Sequence, residues 1–164
     1  EFKIAAEYTL SRSFNDIIIN ADDIANPELL QEAVDISIEA KKINITLDSK
    51  LAQEIFSKYI TQKVKKLAES MEIQQYQSII DVLVFAEKLN IKLDLVEAQN
   101  IYFNSIYNKV PYLINALNTS DNIDYEHKYV ATILDLGEKL NFDVYQDFVK
   151  LEKQVAQIKN TMHL

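Results

Sequence analysis

The chain repeats itself, and the repeat limits what it can fold into. Three segments carry one phrase: Lys42-Ile43-Asn44-Ile45-Thr46-Leu47, Lys88-Leu89-Asn90-Ile91-Lys92-Leu93 and Lys139-Leu140-Asn141-Phe142-Asp143-Val144. Apolar or small residues recur upstream of each asparagine. Eleven before it stand Ala33, Ile79 and Val130; eight before, Ile36, Val82 and Ile133; four before, Ala40, Ala86 and Gly137; one before, Ile43, Leu89 and Leu140. Steps of three, four and three place these on one face of a helix. Downstream, Ala52-Gln53-Glu54-Ile55-Phe56 matches Ala98-Gln99-Asn100-Ile101-Tyr102, Ile60 matches Ile106, Lys63-Val64 matches Lys109-Val110, and Leu67 matches Leu113. The third copy keeps helical spacing in Phe148, Leu151, Val155, Ile158 and Met162. It slips by about one residue and is more polar, as a terminal unit facing water is.

Each phrase reads as the end of one helix and the start of the next. Asn44, Asn90 and Asn141 tolerate the left-handed backbone that helix C-termini need, and the preceding lysine suits the negative end of the dipole. Asp48, Asp94 and Asp143 then serve as N-caps, with Asp94 and Glu97 forming a capping box. Asn26-Pro27-Glu28 combines a cap, a first-turn proline and an acid. Ser70 and Asp121 are the caps expected for the remaining helices. Seven helices follow, over 2–19, 27–43, 49–69, 71–89, 95–117, 123–140 and 144–161. Pro111 is expected to kink or split the fifth near 107–110. The first helix reads as a half repeat, with Ala5-Ala6-Glu7-Tyr8 echoing Ala52-Gln53-Glu54-Ile55. The expected fold is therefore all-α: one domain, 1–164, of three antiparallel helical hairpins plus an N-terminal half repeat, packed as a short superhelix or bundle. Ala40, Ala86 and Gly137 are expected where helices cross closely, because a glycine inside a helix costs about 1 kcal/mol that close approach would offset.

Composition excludes several kinds of function. A single glycine among 164 residues cannot build a phosphate-cradling loop or many positive-φ hairpin turns. Zero cysteines remove disulfides, thiol catalysis and thiolate-bound metals. A net charge of −8 with one arginine, Arg12, speaks against nucleic-acid binding. The longest apolar stretch, residues 79–86, is short and interrupted by Asp81, so no membrane span is expected. No leader segment is recognisable, and a cytoplasmic setting is the default. Because a helical pattern already begins at position 2 and the first residue is Glu1, the chain reads as a segment of a longer protein.

The candidates for chemistry are few. His127 lies in a polar helical stretch and His163 beside the C-terminus, without the paired spacing of a zinc site. Carboxylates such as Asp22, Asp23, Glu97 and Glu126 read as caps and solvated faces. No catalytic residue, metal or cofactor is expected. Gln99, Asn100, Tyr102, Tyr107 and Tyr112 form the remaining patch, with core or interface packing favoured over a ligand platform because Tyr102 aligns with Phe56. The first helix carries apolar residues around more than half of its circumference, which makes Phe2, Tyr8 and Leu10 candidate interface residues. An upstream domain of the same polypeptide, or a second copy when the chain is isolated, is the expected partner.

The runs Ala5-Ala6-Glu7-Tyr8-Thr9-Leu10-Ser11, Ile91-Lys92-Leu93-Asp94 and Glu97-Ala98-Gln99-Asn100-Ile101-Tyr102-Phe103 resemble a helical C-terminal domain of unknown function. That domain follows the catalytic domain in glycoside hydrolase family 57-type bacterial proteins. The resemblance implies an upstream barrel acting on α-glucans or related sugars, so that carbohydrate would be met only through the parent enzyme. No catalytic residue of that barrel lies here. The function expected is that of a non-catalytic accessory domain. The alternative is a free-standing helical-repeat scaffold that binds a protein or peptide.

Overall fold

The computed structural model describes residues 1–21 and 23–162. Asp22 and His163, named above among the polar candidates, lie outside the described residues. The fold is all-α, a succession of helical hairpins, with no strand among the described residues. Helices α1 (Phe2–Ile19), α2 (Pro27–Lys42), α3 (Lys50–Ser70) and α4 (Tyr76–Lys88) precede a long interrupted helix made of α5 (Val96–Ile101) and α6 (Val110–Ala116). Helices α7 (Ile123–Lys139) and α8 (Tyr145–Met162) complete the chain. Two compact units are formed: residues 1–62 with 77–95, and residues 63–76 with 96–164. Among the described residues no helix is long and apolar enough to cross a membrane.

The three repeat phrases close their helices in the same way. Asn44, Asn90 and Asn141 have φ of 55°, 55° and 70°. The N–H of the next residue reaches back five positions, from Ile45 to Ala40, Ile91 to Ala86 and Phe142 to Gly137, at 2.8, 2.8 and 2.9 Å. Each asparagine N–H bonds three residues back, at 3.2, 3.0 and 2.9 Å. This is the Schellman arrangement, which satisfies carbonyls the helix end leaves unpaired. The small residue four before each asparagine is thus both the terminal acceptor and a buried position, with Ala40 and Ala86 1% and 2% exposed.

Starts are capped by side chains. Asn26 accepts from the N–H of Glu28 at 3.0 Å, Asp48 from Lys50 at 3.2 Å and Asp143 from Tyr145 at 3.2 Å. Two expected caps are displaced. Asn122, not Asp121, caps α7, accepting from Tyr125 at 3.1 Å. Ser70 belongs to the last turn of α3, and Met71 takes a left-handed φ of 55°. A 3-10 turn, Ile73–Gln75, then delays α4 to Tyr76, five residues later than the sequence suggested.

Pro111 splits the fifth helix as expected. It lies in the first turn of α6, where its missing N–H costs nothing. A π-turn, Tyr102–Ile106, and a 3-10 turn, Tyr107–Lys109, absorb the break. Beyond it the correspondence with the first copy lapses. Leu67 is buried, its expected match Leu113 is only half-buried, and Leu117 fills the core.

The half repeat is real, but its register is one residue from the one read in the sequence. Ser11 Oγ accepts from the N–H of Asp48 at 3.0 Å, and Ser57 Oγ accepts from the N–H of Asp94 at 2.9 Å. Both bonds span 37 residues, so Ser11 corresponds to Ser57 and Ala6, not Ala5, to Ala52. Burial agrees: Ser11, Phe14 and Ile18 match Ser57, Ile60 and Val64, all buried.

Candidate functional site

Gln99, Tyr102 and Tyr107 are drawn together in the second unit by internal hydrogen bonds. Gln99 donates to the carbonyl of Leu140 at 2.8 Å, an acceptor at the C-cap of α7. Tyr102 is fully buried and donates its hydroxyl to the carbonyl of Ile133 at 2.9 Å. Tyr107 donates to Asp147 Oδ2 at 2.8 Å. Three of the five candidate residues therefore join the fifth helix to the third hairpin. Asn100 and Tyr112 face solvent, Tyr112 at 79% exposure, and do not complete a ring-lined platform.

Four rings surround this junction. Phe103 stacks on Tyr107 and on Phe142, with centroids 5.9 and 6.2 Å apart, and Tyr102 lies 5.3 Å from Phe142. Such offset contacts contribute roughly 0.5–1.5 kcal/mol each beyond area burial. Burial, followed by the neighbouring Tyr107 and Asp147, pushes the Tyr102 phenol far above its ordinary range. The hydrogen bond to the Asp147 carboxylate, then burial, raises Tyr107. Both phenols are held neutral, as hydrogen-bond donors rather than bases.

Two polar pairs join α7 to α8 at the surface. His127 Nε2 lies 2.7 Å from Glu152 Oε1. Lys159 bonds Asp124 at 2.9 Å and holds that carboxyl below its usual range. Among the described residues no three histidine, aspartate or glutamate side chains gather to hold a metal.

The second candidate surface is α1. At 3.6 residues per turn Phe2, Tyr8 and Leu10 point to three different sides of the helix. Phe2 and Tyr8 are 83% and 67% exposed, whereas Leu10 is partly covered. The apolar residues that do share one outer flank are Ile4, Tyr8 and Ile19, exposed at 73%, 67% and 57%. In the register fixed by the serines, the same flank of α3 carries Lys50, Glu54 and Lys65, all exposed. Periodicity alone did not isolate this flank, because its signal is the contrast with α3 and depends on the corrected register.

No protein-family model, curated protein or solved structure matches this sequence.

Proposed function

We propose that this chain is a non-catalytic helical-repeat module that docks, through the outer flank of α1, on a neighbouring domain of the same polypeptide. The neighbour that the family resemblance implies is a glycoside hydrolase family 57-type enzyme of α-glucans or related sugars. One observation carries the docking reading: Ile4, Tyr8 and Ile19 stand in water where the repeat places Lys50, Glu54 and Lys65. Fully burying an aliphatic or aromatic side chain yields about 1.5–3 kcal/mol, so a neighbour that covers these three gains a contribution that the charged side chains of α3 could not give. A patch of three side chains is far smaller than the roughly 1,000 Å² that a stable free interface needs. A tethered neighbour requires much less, since a short linker supplies an effective concentration on the order of millimolar.

The product of the complete reading frame can be compared with this chain by hydrogen exchange. Slower exchange confined to α1 in the longer polypeptide, lost in an Ile4→Glu, Tyr8→Glu variant, is the expected outcome. Equal exchange in α1, or a reading frame with no further domain, overturns docking and leaves a free-standing helical-repeat scaffold. The purified chain is expected to leave starch, maltodextrins and chitosugars intact. Turnover that disappears when one of its carboxylates is changed overturns the non-catalytic reading.

A further inference from the structure

The first unit contains a cleft of about 250 Å³ at the C-terminal ends of α2 and α4, beside the start of α3. Its apolar lining comes from Phe14, Ala40, Ile45, Leu47 and Leu89, and its polar lining from Ser37, Lys41, Thr46, Ser49 and Asn90. The repeat shows how the space arises. One copy later, Ser37 corresponds to Leu83, Thr46 to Lys92 and Ser49 to Leu95; one further, Ser37 corresponds to Leu134. The first copy has thus exchanged long side chains for short hydroxyl-bearing ones at three positions around a single cleft.

Ser37 is the telling residue. It is 8% exposed, lines the cleft, and its hydroxyl bonds to no described residue. Its oxygen is not among the fully enclosed polar atoms without a partner, so it opens into the cleft, where water or a bound polar group can pair with it and the leucine of the other copies offers no such contact. Lys41 is exposed, so it stands at the mouth, and no carboxylate pairs with it among the described residues. No lining residue is acidic, although the chain as a whole carries a net charge of −8.

We propose that this cleft binds a small organic anion: a carboxylate on a compact apolar body whose far end bears a hydrogen-bonding group. The Lys41 ammonium takes the carboxylate in a charge-assisted bond at the mouth, on the solvent side, where its full charge outweighs the partial negative charge at the ends of α2 and α4. Ile45 and Leu89 cover the apolar body, and Ser37 satisfies the far end. A neutral sugar would leave Lys41 unmatched, and a purely apolar ligand would leave Ser37 unmatched.

The test uses 4-hydroxybenzoate as probe, with benzoate and 4-hydroxybenzyl alcohol as its two truncations, followed by amide resonances in isotope-labelled protein. Saturable shifts at Ser37, Ser49 and Asn90 are expected with 4-hydroxybenzoate. Each truncation is expected to bind about tenfold more weakly, the loss of one strong polar contact. Ser37→Leu with Ser49→Leu restores the second copy's residues and is expected to abolish the shifts while the helical circular dichroism is retained. Lys41→Gln, at an exposed position, is expected to weaken both carboxylates and leave the alcohol unaffected. Absence of saturation, equal binding of the alcohol, or binding that survives in the filled variant overturns the proposal.

Discussion

The hydroxyl of Tyr102 occupies the space that a Cβ on residue 137 would need. An ideal Cβ built there would lie 2.7 Å from Tyr102 Cζ and 2.9 Å from Cε1, and closer still to the hydroxyl oxygen. One repeat earlier the two positions hold Phe56 and Ala86, both buried. The second pairing gains a hydroxyl on one helix and gives up a methyl on the other. The glycine of this chain is therefore explained by volume, and its helix-propensity cost of about 1 kcal/mol is offset by a buried hydrogen bond to Ile133.

Gly137→Ala is expected to destabilise the protein by roughly 1–3 kcal/mol, because Tyr102 is anchored and cannot retreat. Tyr102→Phe alone is expected to cost about 1 kcal/mol, the value of one buried hydrogen bond. The double variant recreates the Phe56 and Ala86 pairing; Cζ and Cε1 of its ring must still draw back from the new Cβ, which a phenylalanine released from the Ile133 carbonyl can do, so part of the loss is expected to be recovered. A double-mutant cycle on denaturant midpoints measures the coupling; simple additivity would contradict the exchange of volume between the two sites.

The asparagines at the helix ends permit a second comparison. Asn90 has a φ of 55°, and the Schellman bonds depend on it. Asn90→Ala is expected to lower stability by about 1 kcal/mol, since a Cβ without a local polar group is strained there. Asn90→Gly relieves the same strain and is expected to lie close to the parent. Equal losses in the two variants would assign the effect to the lost amide rather than to the backbone.

Ser57 links the first two repeat copies through a single donor, the N–H of Asp94, at 2.9 Å. Ser57→Ala leaves that N–H without its acceptor at a part-buried position. The expected cost is about 1–2 kcal/mol, and Ser57→Thr, which keeps the oxygen, is expected to retain more of the stability. Thermal unfolding of the two variants decides it: an alanine variant as stable as the parent would show that water replaces Ser57.

These effects also explain what the sequence disclosed and what it hid. The period was legible because asparagine is one of the few residues that accepts the left-handed backbone, so Asn44, Asn90 and Asn141 mark three helix ends directly. The register of α1 is ambiguous in the sequence because Ala5-Ala6 offers two equivalent matches to Ala52. The deciding signal was the spacing of Ser11 from Asp48 and of Ser57 from Asp94, which becomes meaningful only once the two bonds are seen. Met71 gave no warning of its positive φ, since nothing in an unbranched side chain marks that conformation. The break at Pro111 was foreseeable from its missing N–H, but no local residue pattern specifies the π-turn, Tyr102–Ile106, that absorbs it. In the candidate patch, the alignment of Tyr102 with Phe56 already favoured core packing. The bonds of Gln99 to Leu140 and of Tyr107 to Asp147 join residues about forty positions apart, and no local pattern encodes them.

The hydrogen-bonded phenols of Tyr102, Tyr107 and Tyr129 make stability sensitive to alkaline pH. Tyr102 is raised first by burial, Tyr107 first by its hydrogen bond to Asp147, and Tyr129 first by burial, while its hydroxyl also bonds the carbonyl of Met71. All three shifts favour the neutral phenol in the folded state. The unfolded chain releases these protons near the ordinary tyrosine value of about 10, whereas the folded chain retains them to higher pH. The contribution is fully present below about pH 10 and is lost as pH rises through the elevated folded values, because the unfolded state then binds fewer protons. Denaturant midpoints are thus expected to be level through mildly alkaline pH and to fall beyond about pH 10. Tyr102→Phe is expected to begin from a lower stability and to fall less steeply, since its residue no longer titrates. A folded protein whose nine tyrosines all ionise together near the ordinary value, followed by phenolate absorbance, would contradict this linkage.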